Sequence, residues 1–324
     1  MRCIFNPNTD PYFNLATEEY ALTHFDDDVF MLWRNDKAVI VGKFQNTAAE
    51  IDIDYVKEKG IKVVRRMTGG GAVFHDLGNL NFTFIAARGD GDFHTFTEPI
   101  LHVLNEMGVP AQFEGRNDLT IHGQKFSGNA QCVYRGRILH HGTLLFSSEM
   151  SDLAGALKVN PLKFQDKAVK SVRKRVTNIS EHLPHPMDVL EFKDKLMAYV
   201  VEHTADAHAY SFSDADLNTI RRLRDEKYNT WEWNFGTSPK FSFSKYTHTA
   251  MGGNLEVHLT IDQGRIAQFK LYGDFFALGD VEELERALVG TAYRDDAVRQ
   301  TLREIGLPHY LRNVTDDEFV QAMF

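Results

Sequence analysis

Apolar and polar positions follow two different periods along this chain, and each change of period marks an element. From residue 13 to 25 the apolar residues Leu15, Ala16, Ala21 and Leu22 recur at helical spacing, which predicts a helix with Glu18 and Glu19 turned outward. Residues 29–33 and 38–42 are short apolar runs joined by the polar turn Arg34-Asn35-Asp36-Lys37, the pattern of paired strands. A short helix is expected over 51–59, closed by Gly60, and strands over 61–64 and 82–86. Residues 96–107 carry Ile100, Leu101, Leu104 and Met107 on one stripe with Gly108 as the stop. A meander follows: 118–122 turns at Gly123 into 125–134, which turns at Arg135-Gly136 into 138–146. Helices are expected over 151–157 behind Ser151, over 187–202, and over 215–228 behind Ser213. The aromatic segment Trp231-Glu232-Trp233-Asn234-Phe235-Gly236 is expected to pack. After it come strands at 241–250, 255–261 and 266–272, then helices at 281–289 and 297–304. A last helix starts at Thr315, where Glu318 completes a capping-box spacing. Residues from about 245 onward read as a small α+β domain.

Composition narrows the classes. At 324 residues the chain predicts two domains, and 36 basic against 45 acidic residues give a net charge of −9, which argues against broad nucleic-acid binding. Cys3 and Cys132 make neither a disulfide framework nor a zinc pattern, so a reducing interior fits. No signal-peptide pattern and no membrane-length apolar run stand out, and a cytoplasmic protein without a membrane partner is expected.

The candidate chemistry sits in three clusters. The first is Arg65-Arg66-Met67-Thr68-Gly69-Gly70-Gly71-Ala72-Val73-Phe74-His75-Asp76-Leu77-Gly78-Asn79-Leu80-Asn81, between two predicted strands. A glycine triplet lets backbone N–H groups approach an anion, and arginines supply fixed forks of donors. The same residues would serve a tight polar hairpin; Arg65, Arg66, His75 and Asn79 together favour the anion site. It is no Walker loop, because no Gly-Lys-Ser/Thr follows Gly71. A dinucleotide fingerprint would need glycine where Phe74 stands and a helix after it. The second cluster is Gly115-Arg116-Asn117-Asp118 with Gln124-Lys125-Phe126-Ser127-Gly128-Asn129-Ala130. Lys125 and Phe126 face opposite sides of a strand; Lys125 is either a solvated sheet lysine or, with Ser127 and Gly128 beside it, part of a ligand site. Asp118 could hold a cation or cap a turn. In the third cluster, His140-His141-Gly142-Thr143, adjacent strand positions point apart, so the two histidines do not share a metal; one can line a pocket with Lys125.

In this order, GGGAVFHDLGN, GRNDL, QKFSGNA and HHGTLL resemble lipoate–protein ligases, and WEWNFG with the small second domain is similar to the family's two-domain bacterial members. The resemblance implies an α+β fold with a central mixed sheet flanked by helices, as in biotin protein ligases. It divides the chain into a catalytic domain, 1–244, and an accessory domain, 245–324. It implies that lipoate, with octanoate as a further substrate, reacts with Mg²⁺-ATP to give lipoyl-AMP and pyrophosphate. The acyl group then passes to a lysine of a lipoyl domain, on E2 subunits of 2-oxoacid dehydrogenases or on the glycine cleavage H protein. Carried over by position, Arg66, Gly71, Ala72, Val73 and Phe74 hold ATP or the adenylate. Lys125 touches carboxylate and α-phosphate and is the catalytic residue. Lipoate is assigned Lys125, Arg66, Thr68, His75 and His141. Gly69, Gly70, Asn79, Asp118 and Ser127 are supporting residues, and Asp118 is the only candidate for Mg²⁺ beyond the nucleotide. An apolar pocket for the acyl tail is expected from Trp33, Val41, Gly42 and Phe74.

Two other readings use the same scaffold. A cysteine-dependent octanoyl or lipoyl transferase would carry the acyl group on a thiolate and need no ATP; Cys132 is the only candidate near the clusters, and a small filler on a strand is the simpler role for that residue. A non-catalytic module would bind an acyl-adenylate or a lipoyl domain without turnover; intact Arg66, Lys125 and the glycine triplet speak against it.

Overall fold

In the computed structural model of the protein, residues 1–45, 47–87, 92–149, 155–157, 176–235, 243–262 and 264–324 are described. The first part of the chain runs β1 (Arg2–Asn6), α1 (Pro11–His24), β2 (Val29–Trp33), β3 (Ala38–Val41), α2 (Thr47–Glu50), α3 (Ile53–Glu58), β4 (Lys62–Arg65), β5 (Val73–His75), β6 (Asn79–Ala87) and α4 (Phe93–Glu106). Next come β7 (Ala111–Glu114), β8 (Asp118–Ile121), β9 (Gln124–Tyr134), β10 (Arg137–Leu145), α5 (Val189–His203), β11 (His208–Ala209), α6 (Asp214–Leu223) and α7 (Trp231–Asn234). The last part holds β12 (Phe243–His248), β13 (Asn254–Asp262), β14 (Arg265–Gly273), α8 (Val281–Leu288), α9 (Asp295–Ile305) and α10 (Asp316–Met323). The expected helix over 151–157 lies largely outside the described residues.

The strands form a mixed eight-stranded sheet of order β11-β1-β2-β6-β10-β9-β8-β7 and a small sheet of order β4-β3-β5. A separate antiparallel sheet is ordered β12-β13-β14. Strand β2 is buried at every position because both faces of the large sheet are covered. Phe30 and Leu32 join Phe82, Ile100, Leu104 and Phe192 under α4 and α5. Val29, Met31 and Trp33 join Leu15, Ala21, Ile85 and Leu139 under α1. The third sheet has a core of its own, with Leu255, Val257, Leu271, Leu284, Leu302 and Phe319.

Helix starts follow their caps. Ser213 with Asp216, and Thr315 with Glu318, form complete capping boxes, as does Asp188 with Glu191. The sequence pattern had not marked β1, β5, β7 or β11, all five residues or shorter. A further correction concerns α1. Glu18 is buried and Glu19 bonds Lys227 Nζ and Tyr228 OH, each at 2.6 Å, because α1 is packed on the sheet side and again by α6 and the π-helical turn after it.

Candidate active site

The glycine loop hangs between β4 and β5 and meets the large sheet where Thr68 Oγ1 lies 2.8 Å from His141 Nε2. Gly70 is left-handed, at φ 90°. A Cβ on Gly69 would stand 2.1 Å from the Phe275 carbonyl oxygen, so the close approach of the C-terminal segment requires glycine there. Gly70 N–H donates to that carbonyl at 3.2 Å.

The two arginines before the loop do different work, since successive strand residues point apart. Arg65 lies outside the cavity. Its guanidinium donates to the carbonyls of Gly42, Lys43, Gln45, Trp233 and Asn234 and to the Thr47 hydroxyl, tying α7 and the turn after β3 to the small sheet. Arg66 is 5% exposed and folds under the loop. Its Nε donates to Thr68 Oγ1 at 2.9 Å, Nη1 to Ile40 O at 3.1 Å, and Nη2 to Gly69 O and Gly71 O at 2.6 and 2.9 Å. Of the five N–H groups a guanidinium carries, one is left over. Burial, partly offset by Glu18, lowers its pKa to about 10, which leaves it charged at neutral pH.

Between loop and sheet opens a cavity of about 640 Å³ including its mouth. Gly70, Gly71, Ala72 and Val73 line one wall, with Arg66 beneath. Lys125 and Gly128 of β9 and His141 and Thr143 of β10 line the other. Leu15, Trp33 and Ile40 supply apolar surface. Lys125 Nζ pairs with Asp118 Oδ1 at 2.8 Å, the side chains being 38% and 37% exposed. Asp118 is thus the partner of Lys125. Among the described residues no group of three or more His, Cys, Asp or Glu could hold a metal.

His140 and His141 do point apart. His140 stacks on Phe82 and Phe96 in the core under α4, and burial, then His141, holds its pKa well below the usual range. His141 faces the cavity. Its Nδ1 lies 2.9 Å from Glu18 Oε1, which also accepts from Thr83 Oγ1 at 2.6 Å. Trp33 Nε1 donates in turn to Thr83 Oγ1 at 2.9 Å. A buried chain of polar groups therefore runs from the indole through Glu18 and His141 to Thr68 and Arg66.

Of the residues the sequence singled out, Arg66, Gly70, Gly71, Ala72, Val73, His75, Lys125 and His141 line this one cavity. Thr68 lies behind it, wholly buried. Phe74 packs with Val39, Val41 and Val63 in a cluster behind the small sheet. Of the tail pocket expected from Trp33, Val41, Gly42 and Phe74, only Trp33 lines the cavity; Ile40 and Val73, one residue out of phase, take the place of Val41 and Phe74. Asn79 donates to Asn81 Oδ1, and Ser127 Oγ accepts from Asn129 Nδ2. Sequence reasoning missed Glu18; Asn81, Asn117 and Thr143, which also line the cavity, stood in its three clusters without an assigned role. For Glu18 a signal existed: Leu15, Glu18 and Leu22 sit at i, i+3 and i+7, on the buried stripe. Cys132 is packed beside the cluster under α1, and burial, with smaller charge effects, pushes its thiol up to about 12.

Comparison with known proteins agrees along the whole chain. Residues 10–201 match the family model described as lipoyl protein ligase A/B catalytic domain, and 238–323 that of the bacterial lipoate protein ligase C-terminus. Lipoate-protein ligase LplJ of Bacillus subtilis is 42% identical over 333 residues, covering 100% of both chains. A bipartite lipoate protein ligase of Thermoplasma acidophilum, from a structural analysis of that ligase and its E2 lipoyl domain, superposes with a TM-score of 0.66 at 32% identity, over 75% of this chain and 98% of that one. A lipoate-protein ligase A bound with ATP gives 0.64 at 29%, over 72% and 98%.

Proposed function

The chain belongs to the lipoate–protein ligase family, and on that premise we propose how its cavity performs the reaction. The enzyme is an ATP-dependent ligase. The lipoate carboxylate attacks the α-phosphorus of ATP, giving lipoyl-AMP and pyrophosphate. A lysine amine of a lipoyl domain then attacks the acyl carbon, giving the amide and AMP, with one proton released.

In our reading the carboxylate and the α-phosphate meet at Lys125. Two anions must approach, and negative charge grows on the phosphate oxygens; an ammonium between them stabilises that arrangement. Its pairing with half-exposed Asp118 is easily exchanged, because such pairs are worth little in water. The backbone of Gly71, Ala72, Val73 and Phe74 carries the nucleotide, and Arg66 sets the shape of that backbone with its one remaining N–H toward the cavity. Mg²⁺ bound to the triphosphate would neutralise the leaving pyrophosphate. The acyl tail lies along Trp33, Leu15 and Ile40, with Thr68, His75 and His141 beside it. Octanoate is accepted as a second acid. Acceptors are E2 subunits and the glycine cleavage H protein. Catalytic residues belong to a domain ending near 244, the remainder forms the accessory domain, and the enzyme works in the cytoplasm.

The observation that carries this reading is the opening of Arg66 and Lys125 onto one cavity with an apolar wall. Lipoate-dependent exchange of labelled pyrophosphate into ATP tests it without an acceptor protein. Exchange that proceeds at the same rate without lipoate would sink it.

A further inference from the structure

His75 is 3% exposed, lines the cavity, and has one ring nitrogen without a partner. Its Nδ1 lies 3.0 Å from Asn35 Nδ2, while Nε2 has no hydrogen-bond partner among the described residues. The position of its proton follows from contacts that end on backbone carbonyls. Asn14 Nδ2 donates to the carbonyls of Asn8 and Arg34, which fixes the orientation of that amide. The same nitrogen lies 2.8 Å from Asn35 Oδ1, so Asn35 turns its oxygen to Asn14 and its NH₂ to His75. His75 Nδ1 therefore accepts, and the proton sits on Nε2. Burial, then Arg66 and His141, holds its pKa down to about 3, so the ring is neutral and has a single N–H. Asn81, 1% exposed, lines the same cavity with its Nδ2 unpartnered, its Oδ1 being taken by Asn79. A buried donor without an acceptor is costly, and native chains seldom keep one without a use.

Asn81 lies across the large sheet from Lys125, and His75, on β5 of the small sheet, stands by the Trp33 ring. The Lys125 side chain rests against Gly128, whose N–H donates to Thr143 Oγ1, and Thr143 pairs with Asn81, which pairs with Trp33. Gly128 and Asn81 are two strand steps apart, about 10 Å, on the order of the reach from the carboxylate of lipoate to its dithiolane ring. The His75 ring lies 6.1 Å from the Trp33 ring, edge to face, and the Trp33 N–H is already spent on Thr83. What this end of the cavity offers is an aromatic surface and a free N–H. A ring sulfur matches both, being polarizable against an aromatic and a weak hydrogen-bond acceptor.

We propose that His75, with Asn81 beside it, distinguishes a dithiolane from a plain alkyl chain: Nε2–H donates to a ring sulfur of lipoate, a bond that the terminal methyl of octanoate cannot accept. The proposal rests on the lipoate reading of the cavity. It is tested by kcat/KM for ATP–pyrophosphate exchange with lipoate and with octanoate, in wild type, His75→Phe, His75→Gln and Asn81→Ser. The lipoate-to-octanoate ratio falls about fivefold in His75→Phe, the weight of one hydrogen bond, and the change appears in KM for lipoate. His75→Gln, which can still donate, keeps most of the preference, and Asn81→Ser moves the ratio the same way by a smaller factor. An unchanged ratio, or an equal loss with both acids, overturns the assignment. A wild-type protein that exchanges pyrophosphate with neither acid counts instead against the reading of the cavity.

Discussion

The two ends of the cavity are built on opposite principles. At the Lys125 end one ion pair, each partner more than a third exposed, holds the reactive group. At the Trp33 end Glu18, Thr83, His141, Thr68 and Arg66 are all buried, and each has at least two polar partners in the chain. The first end must meet a triphosphate, an adenylate and an incoming amine in turn, so its contacts have to be exchangeable. The second meets only the acyl tail, so its groups are arranged before the ligand arrives and the protein loses little freedom on binding. Reactivity lies where the structure is loose, and stability where it is tight. Substitutions at the two ends should therefore report on different measurements.

The largest effect is expected at the open end. Lys125→Ala removes the ammonium from between carboxylate and α-phosphate and should slow lipoate-dependent pyrophosphate exchange about a thousandfold, the scale of a lost charge-stabilising donor. Its melting temperature should stay near wild type, because a half-exposed pair contributes little to folding. A variant that exchanges at the wild-type rate would remove Lys125 from the reaction. At the tight end the order reverses. Arg66→Met leaves the carbonyls of Ile40, Gly69 and Gly71 without their donor, and unfolding free energy should drop by about 3 kcal/mol in urea titration. Unchanged stability with weakened ATP binding would mean that the guanidinium reaches for phosphate rather than for the loop.

That contrast also explains what the sequence revealed. The open end is local: Asp118, Lys125 and Gly128 lie within a few residues on one hairpin, and the glycine loop is contiguous, so motif spacing displays them. Strand alternation likewise placed His140 and His141 on opposite faces before any coordinates. The tight end is assembled from positions far apart, Glu18 with His141 and Asn14 through Asn35 with His75, and no local pattern announces such pairs. Glutamate on a helix normally faces out; Glu18 is inside because it lies on the sheet-facing stripe of α1, where Thr83 and His141 bond it, while Glu19 is met by Lys227 and Tyr228. The short strands β1, β5, β7 and β11 escaped for a related reason, since their pairing is decided by neighbours rather than by period. The phase error that chose Val41 and Phe74 over Ile40 and Val73 shows how a one-residue shift exchanges the two faces of a strand.

Glu18 gives the next test. Glu18→Ala strands the His141 Nδ1 and the Thr83 hydroxyl in the interior and should cost about 2 kcal/mol of unfolding free energy, while exchange by the folded fraction falls much less than in Lys125→Ala. Equal damage to stability and to turnover would blur the division between the ends. Acid sharpens it by another route. His75 is neutral in the folded state, with its pKa lowered from 6.5 to about 3. Between those values the unfolded chain takes up a proton that the folded chain does not, so stability falls as pH falls. The slope contributed is up to about 1.4 kcal/mol per pH unit. Urea titrations from pH 6.5 down to 4 should show a shallower decline in His75→Gln than in wild type, and parallel lines would mean that His75 titrates normally in the fold.

The smallest effect is expected from Cys132. It pairs with Leu139 across β9 and β10 and packs among the apolar residues under α1. An acyl-carrying nucleophile has to be a thiolate that an activated acyl donor, such as a thioester, can reach, the donor's thiol being the leaving group. Burial does the opposite, raising the thiol to about 12, so its thiolate is scarce at neutral pH. Cys132→Ser keeps the volume and exchanges a thiol for a hydroxyl, so it should leave ATP-dependent lipoylation of a lipoyl domain intact and lower stability by no more than about 1 kcal/mol. The informative measurement is the whole reaction, with free lipoate plus ATP and with an acyl thioester and no ATP, since a transferase using this thiol would run from the thioester without nucleotide and stop in the variant. Retained, nucleotide-dependent ligation would leave Lys125 as the one reactive side chain placed at the exchangeable end. Loss of ligation in a folded Cys132→Ser protein would instead mean that chemistry reaches into the tight, pre-arranged half of the fold, and the contrast between the two ends would fail.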